Sequence, residues 1–248
     1  MAATTASQAV RDGARPRPGL DRTALAVLMP IGPLAIAIVR GILPYYTTDS
    51  NTVMAAKVAA HQGTETVVIW LTFIALLTLI PGVIALGLLA RRRAPRLGTA
   101  GLVVSFAAVA RLFWSNVAGA DTVAMGAARI GTAPGATGAL LTSIGGISAI
   151  GLGSTVFVIG HILGLLLLGV ALWRGRVVPR WAALLLAVSQ ILHFVFAVIA
   201  PNHLLDGCAW GLTAVAFAVA AVAFSRELGP ELNRSGAEPG PELSRVRS

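Results

Sequence analysis

The chain has 248 residues, of which 56% are hydrophobic and only 12% are charged. A water-soluble domain carries about twice that share of charged residues, so the composition excludes a soluble protein and predicts an all-α membrane bundle. The formal net charge of +9 comes from basic residues that flank apolar runs and contact lipid head groups, so we expect no nucleic-acid partner. The single cysteine, Cys208, excludes internal disulfides and a cysteine-rich metal site.

Six apolar runs are each long enough to cross a hydrocarbon core, which takes about 20 helical residues. They cover roughly 23–42, 65–90, 97–118, 152–173, 181–200 and 206–225. The arginines concentrate on alternate connections, at 91–96 and 174–180, and also stand before the first run and after the last. Because arginine-rich short connections stay in the cytoplasm, the sequence predicts a six-helix transmembrane bundle over 22–226 in the inner (cytoplasmic) membrane, with both termini cytoplasmic.

The two ends of the chain differ from the apolar runs in composition. No apolar stretch precedes residue 23, so we expect no cleaved signal peptide. Residues 1–21 contain several arginines and two prolines, and residues 227–248 are rich in Pro, Gly, Glu and Arg. Such segments cannot bury enough apolar surface to fold, so both are predicted to be disordered cytoplasmic tails.

The predicted outer connections carry most of the irregular sequence. In the connection 43–64, Asp49 or Asn51 is expected to cap a short helix over 52–61. The longest connection, 119–151, consists largely of Gly, Ala and Thr, with an apolar end. We expect this segment to be either a mobile loop or a functional element that packs on the bundle as a short helix or lid.

The turn after the fourth run reads Gly169-Val-Ala-Leu-Trp-Arg-Gly-Arg-Val-Val-Pro-Arg-Trp181. Trp173 and Trp181 are expected at the membrane interface, Pro179 is expected to start the next helix, and the arginines hold the cytoplasmic side. This turn resembles one found in small multi-pass, six-helix membrane proteins of actinobacteria, most of which have no assigned biochemistry. The resemblance implies a related fold and no catalytic residues.

Three ionisable residues inside successive runs reach a similar predicted depth. At a rise of 1.5 Å per residue, Arg111, His161 and His193 lie roughly 18–21 Å from the cytoplasmic ends of their helices. A charged group at that depth costs about 2.5 kcal/mol or more unless it is paired or hydrated. The shared depth predicts one polar pocket with these three as catalytic residues, in the outer half of the membrane. Ser154 and Gln190 share helix faces with the two histidines and are candidate ligand-binding residues. The alternative is that all of them have separate structural roles.

A second polar set is predicted at the outer rim. It comprises His61, Glu65, Asp121, Asn202, His203 and Asp206. Glu65 and Asp206 stand in the first turns of their helices, where a carboxylate satisfies free amides, and with His203 they are further ligand-binding candidates. The histidine and acid spacings in this set are compatible with zinc, but such a coincidence is common, so we expect no metal. Pairing of Arg40 or Arg111 with Asp206 or Glu65 is favoured.

The sequence leaves four functions open, with membrane lipids as expected partners of each. The first is a pocket that binds or transforms a small amphiphilic molecule, in a monomer or a homodimer. The second is a b-type haem protein with His161 and His193 as axial ligands. The third is an isoprenoid enzyme resembling membrane terpene cyclases, with Glu65 and Asp206 as acids. The fourth is a structural or regulatory subunit without chemistry. ATP-driven transport and common hydrolase chemistry have no motif to support them.

Overall fold

A computed structural model describes the backbone of residues 18–227, together with the side chains of residues 23–111 and 119–226. Within this part of the chain the fold is all-helical, without strands. Residues 1–17 and 228–248 lie outside the described residues. These ranges include most of the two tails that were predicted to be disordered. Residues 18–21, which were predicted as tail, belong to the first helix.

Between residues 18 and 227 the chain forms six long and three short helices, numbered here in chain order. The long helices are α1 (Pro18–Ile42), α3 (Gln62–Arg91), α4 (Pro95–Ala118), α7 (Ser148–Gly175), α8 (Arg180–Phe194) and α9 (His203–Glu227). The short helices are α2 (Asn51–Ala60), α5 (Ala120–Arg129) and α6 (Pro134–Gly145). A π-helical turn, Val195–Ile199, extends α8.

Several of the long helices are apolar enough to cross a membrane, so the chain is a multi-pass membrane protein. Among the described residues there are five such stretches. They are Thr23–Ile42, Gln62–Arg91, Ser148–Gly175, Arg180–Ile199 and His203–Arg226. The remaining predicted span, 97–118, is helical as part of the 24-residue α4, although residues 112–118 lie outside the described side chains.

The long helices form a closed ring in chain order. Each long helix packs against the next one along the chain, from α1 through α3, α4, α7 and α8 to α9, and α9 packs back against α1. The arginine-rich connections 91–96 and 174–180 lie at one end of this ring, which we call the arginine-rich end. The interior is filled by apolar side chains such as Met29, Leu86 and Phe217, all of which are fully buried.

Glycines bring neighbouring helices of the ring into backbone contact. A Cβ atom added to Gly164 of α7 would lie 2.6 Å from the backbone nitrogen of Ser105 on α4. A Cβ atom added to Gly32 of α1 would lie 2.8 Å from the backbone nitrogen of Leu79 on α3. Small residues permit this close approach in lipid, where helices associate mainly through van der Waals packing.

The three short helices pack on one another and cover the arginine-poor end of the ring. We call α2, α5 and α6 the cap. Ser50 begins α2 by accepting a hydrogen bond from the Val53 N–H, so the cap residue is neither Asp49 nor Asn51 as the sequence suggested. The segment 119–151 is mostly helical rather than a loop, because it contains α5 and α6. Its apolar residues join those of α1 to α3 in a small separate core.

We expect Gly164→Ala to destabilise the ring by about 1–3 kcal/mol, because the added methyl group overlaps the α4 backbone. Thermal unfolding in detergent, followed by circular dichroism, measures this loss. Gly126→Ala is the matched control, because a Cβ atom on that α5 glycine meets nothing within 4 Å. The control should be unchanged or slightly more stable, since alanine favours helix. Equal melting temperatures for the two variants would contradict the close α4–α7 contact.

Candidate ligand-binding site

A cavity of about 270 Å³ lies inside the ring beneath the cap. Most of the side chains that line it are apolar, and they come from the ring helices on all sides. Examples are Ile36, Val39, Val68, Leu79, Val83 and Leu165. Its ionisable and aromatic polar lining residues are Arg40, Tyr45, Asp121, His161, His193 and Trp210. A mainly apolar pocket with a few converging polar groups is typical of a small-molecule site.

A buried ionic network joins α1, α8 and α9 at this cavity. Asp206 accepts a hydrogen bond from Nε of Arg40 through Oδ2, and its Oδ1 lies 2.5 Å from Nδ1 of His193. The Asp206 side chain is only 2% exposed, so it depends on these two donors in place of water. Charge-assisted hydrogen bonds of this kind are short and strong. The pairing of Arg40 with Asp206 is one that the sequence favoured.

His193 is also approached by an aromatic donor. The indole nitrogen Nε1 of Trp210 lies 3.1 Å from the same Nδ1 atom of His193. A single ring nitrogen cannot donate to a carboxylate and accept from an indole at the same time. The contact with Asp206 is shorter and charge-assisted, so the hydrogen lies between Nδ1 and Asp206. The indole N–H of Trp210 therefore has no acceptor at this atom.

His161 lies directly beside His193, with 5.3 Å between their ring centroids. Nδ1 of His161 is 2.6 Å from the carbonyl oxygen of Phe157, one turn earlier on α7. Because a carbonyl oxygen only accepts, Nδ1 carries the hydrogen. The Phe157 ring stacks on His161 at 4.8 Å, and the Trp210 ring lies nearly parallel at 6.2 Å. The ring of His161 is thus held in one orientation and one tautomer.

A hydrogen bond between Tyr45 and Asp121 ties the α1–α2 connection to α5, on the cap side of the cavity. The Tyr45 hydroxyl donates to Oδ1 of Asp121. Burial raises the pKa of Tyr45 well above its ordinary value, and the nearby Asp121 charge adds to this. Burial also raises the pKa of Asp121, opposed by the Tyr45 bond and by Arg40. Since folding raises this carboxyl pKa, the Asp121 contribution to stability falls as pH rises from the unfolded toward the folded pKa.

Glu65 is a fully buried carboxyl group near this pair. Its side chain is 0% exposed, and neither carboxylate oxygen has a hydrogen-bond partner among the described residues. It lies one turn before Val68, which lines the cavity, but the lining does not include Glu65 itself. An unsatisfied buried acceptor costs about 1–3 kcal/mol.

The structure brings together two of the three residues predicted as catalytic. His161 and His193 both line the cavity, whereas Arg111 packs against Gly153 of α7 and is not part of the described lining. Gln190 donates to Thr213 of α9 at 3.0 Å and is not part of the described lining. Ser154 is exposed and donates to a backbone carbonyl one turn earlier. Among the described lining residues, the permanent cation is therefore Arg40.

His203 is the remaining predicted binding residue. Trp210 and Tyr45 are residues of the site that sequence reasoning missed. His203 is half-buried and stacks on Tyr46, with ring centroids 4.1 Å apart. Trp210 was missed as a site residue, although it follows Asp206 by four residues and so shares its helix face. That spacing is the signal that would have found it. Tyr45 had no such signal, because its partner Asp121 is 76 residues away.

The geometry at the two histidines also bears on the haem hypothesis. The two rings contact each other, and Phe157 and Trp210 lie against them. A porphyrin between the two imidazoles would require these rings to separate, so the arrangement does not fit a bis-histidine haem. Within the described residues, no three His, Cys, Asp or Glu side chains form a group that could hold a metal ion.

Comparisons of the chain with protein-family models, with curated proteins and with solved structures give no match.

We expect Glu65→Gln to raise the melting temperature, because an apolar site disfavours a group that can ionise, and the amide keeps the shape of the side chain without ionising. The gain should be on the order of 1 kcal/mol, measured by thermal unfolding in detergent. Gln62→Glu is the control, since residue 62 lies one turn away on the exposed surface and should tolerate the charge. A lower melting temperature for Glu65→Gln would mean that the carboxylate has a stabilising partner.

Proposed function

We propose that this protein binds or transforms a small amphiphilic molecule in the half of the membrane that faces away from the cytoplasm. The observation that carries this proposal is the cavity of about 270 Å³, which combines apolar walls with one buried ionic network. Apolar walls favour a hydrocarbon segment, and the few fixed polar groups orient a head group. His193 is oriented by a carboxylate, an arrangement that suits a general base and therefore supports transformation as well as binding.

Three residues that line the cavity are also exposed on the outside of the ring, and they indicate where a ligand enters. Val158 of α7 is 42% exposed, Phe194 of α8 is 39% exposed, and Val198 of the π turn is 44% exposed. All three line the cavity, so each reaches both the cavity and the outer surface of the ring. In a membrane that surface contacts lipid, while the cap covers the end of the ring. We infer that the ligand enters sideways from the lipid, between α7 and the end of α8.

The cavity volume limits the size of this ligand. An engineered apolar cavity of about 150 Å³ holds one benzene molecule. The volume here, about 270 Å³, is larger than that and suits a molecule with a short apolar chain and a small head. A phospholipid with two long acyl chains would not be enclosed.

We also propose that all six long helices span the inner membrane and that both termini are cytoplasmic. The α4 helix has 24 residues, and at 1.5 Å per residue its length of about 36 Å exceeds a hydrocarbon core. The closed ring supports a sixth span at α4, because this helix packs between α3 and α7, which are both long and apolar enough to cross a membrane. An even number of spans places every arginine-rich connection on one side, in agreement with the positive-inside rule.

Reporter fusions test this topology. A periplasm-active reporter fused after residue 130, in the cap, should give signal. The same reporter fused after residue 94, in the arginine-rich connection between α3 and α4, should be silent. The reverse pattern, or signal from both fusions, would contradict the proposed orientation.

Filling the cavity tests ligand binding. Ile36→Trp places a large side chain in the cavity, and we expect it to lower the amount of co-purifying small molecule by about tenfold or more. Native mass spectrometry and lipid extraction from detergent-free nanodiscs measure that amount. Ile38→Trp is the control, because Ile38 lies on the same helix but is 45% exposed. Equal retention by both variants, or no bound molecule in the unmodified protein, would contradict the proposal.

A further inference from the structure

We infer that the head group of the ligand is an uncharged hydroxyl, as in an alcohol or a phenol, and not a carboxylate or phosphate. This inference rests on the proposed function, because it assigns the chemistry of the molecule that occupies the same cavity. We call the part of the cavity lined by Arg40, His161, His193 and Trp210 its polar end. The assignment follows from the hydrogen-bond acceptors and donors at this end and from the balance of charge there.

The acceptors are the Nε2 atoms of the two histidines. Nδ1 of His161 donates to the Phe157 carbonyl, and Nδ1 of His193 donates to Asp206. In a neutral imidazole the other nitrogen then carries a lone pair. Among the described residues no side chain or backbone group forms a hydrogen bond with either Nε2 atom. Both rings line the cavity, so the cavity offers two acceptors, and a ligand must supply the hydrogens.

The charges at the polar end are already balanced. Arg40 is the permanently charged cation in the described lining, and Asp206 pairs with it directly. The second carboxyl group of the lining, Asp121, accepts a hydrogen bond from Tyr45, and burial raises its pKa, which favours its neutral form. A carboxylate or phosphate head would bring an uncompensated negative charge toward the lone pairs of the two Nε2 atoms and toward the Asp206 carboxylate. An ammonium head can donate to Nε2, but it would bring a net positive charge beside Arg40. Burial of an uncompensated charge is expensive, so a neutral head is favoured.

A donor is available as well. Because the Nδ1 atom of His193 carries a hydrogen, the indole N–H of Trp210 beside it has no acceptor there. Trp210 also lines the cavity. A hydroxyl group both donates and accepts, so it can donate to an Nε2 atom and accept from the indole. A hydrocarbon would leave all three groups unsatisfied, which costs about 1–3 kcal/mol for each buried group.

Binding of matched probes to the full chain in lipid nanodiscs tests this assignment. The probes are 1-octanol, octanoate, octylamine and octane, which share one chain length and differ only in the head. Competition for a radiolabelled 1-octanol probe is measured at mildly alkaline pH, where octanoate is ionised. Nanodiscs that contain Ile36→Trp give the background from partition into lipid. We expect 1-octanol to bind at least about tenfold more tightly than the other three probes.

Two variants of His161 identify the acceptor. His161→Phe keeps an aromatic ring but removes one of the two Nε2 acceptors, so the preference for octanol over octane should fall. His161→Gln restores an acceptor oxygen and should recover part of that preference, which a purely structural role of His161 would not predict. Each leaves only the carbonyl of Phe157 without its side-chain donor, so both should insert normally. Ser154→Ala, on the exposed face of the same helix, is the control and should bind as the unmodified protein does.

The outcomes separate the two proposals. If octanoate or octylamine binds as tightly as octanol, or octane does, the hydroxyl assignment is wrong while the amphiphile pocket stands. If no probe binds above the Ile36→Trp background, the proposed function itself fails. Tenfold selectivity that persists undiminished in both His161 variants would overturn the assignment of the His161 Nε2 atom as an acceptor.

Discussion

A buried carboxylate, Asp206, sets the arrangement of the polar end of this bundle. In lipid a charged side chain is costly, and here Arg40 and His193 provide the compensating donors from two other helices. The three residues lie on α1, α8 and α9, and α1 meets α9 only because the ring of long helices closes. Closure of the ring and formation of the ionic network therefore depend on each other. Removal of one partner leaves an uncompensated charge, which is far more destabilising than loss of an apolar contact.

The cap affects the proposed site by covering the same ionic network. With α2, α5 and α6 over one end of the ring, the polar groups are separated from water, and their hydrogen bonds are strengthened by the low local polarity. The Tyr45–Asp121 bond ties the α1–α2 connection to α5, so the cap is attached to the ring next to the cavity. The open side faces lipid at Val158 and Val198. The proposed site is therefore covered toward the cap and open toward the side of the ring.

The five apolar spans found among the described residues could be predicted because length and hydropathy are local properties of the chain. The meeting of His161 with His193 agrees with their predicted depth, since depth depends only on the rise per residue. Depth alone does not say which way a side chain points around the helix axis, and for that reason Arg111 was placed in the pocket although it packs against Gly153. The Arg40–Asp206 pair, 166 residues apart, was favoured because both residues are predicted at the same rim of the membrane. The Tyr45–Asp121 bond joins residues 76 apart, and no local pattern contains that pairing.

The π turn Val195–Ile199 explains how α8 forms the wall of the entrance. A π turn widens the helix and shifts the side chains that follow, and here it brings both Ala197 and Val198 to the cavity. The Ala197 carbonyl oxygen accepts a hydrogen bond from the Thr47 hydroxyl, 2.6 Å away, in the connection between α1 and α2. Inside a membrane such an irregular backbone is tolerated only where protein groups satisfy it. The wall of the entrance is therefore anchored to the same connection that carries Tyr45, so the geometry of the opening and that of the polar end are coupled through one short segment.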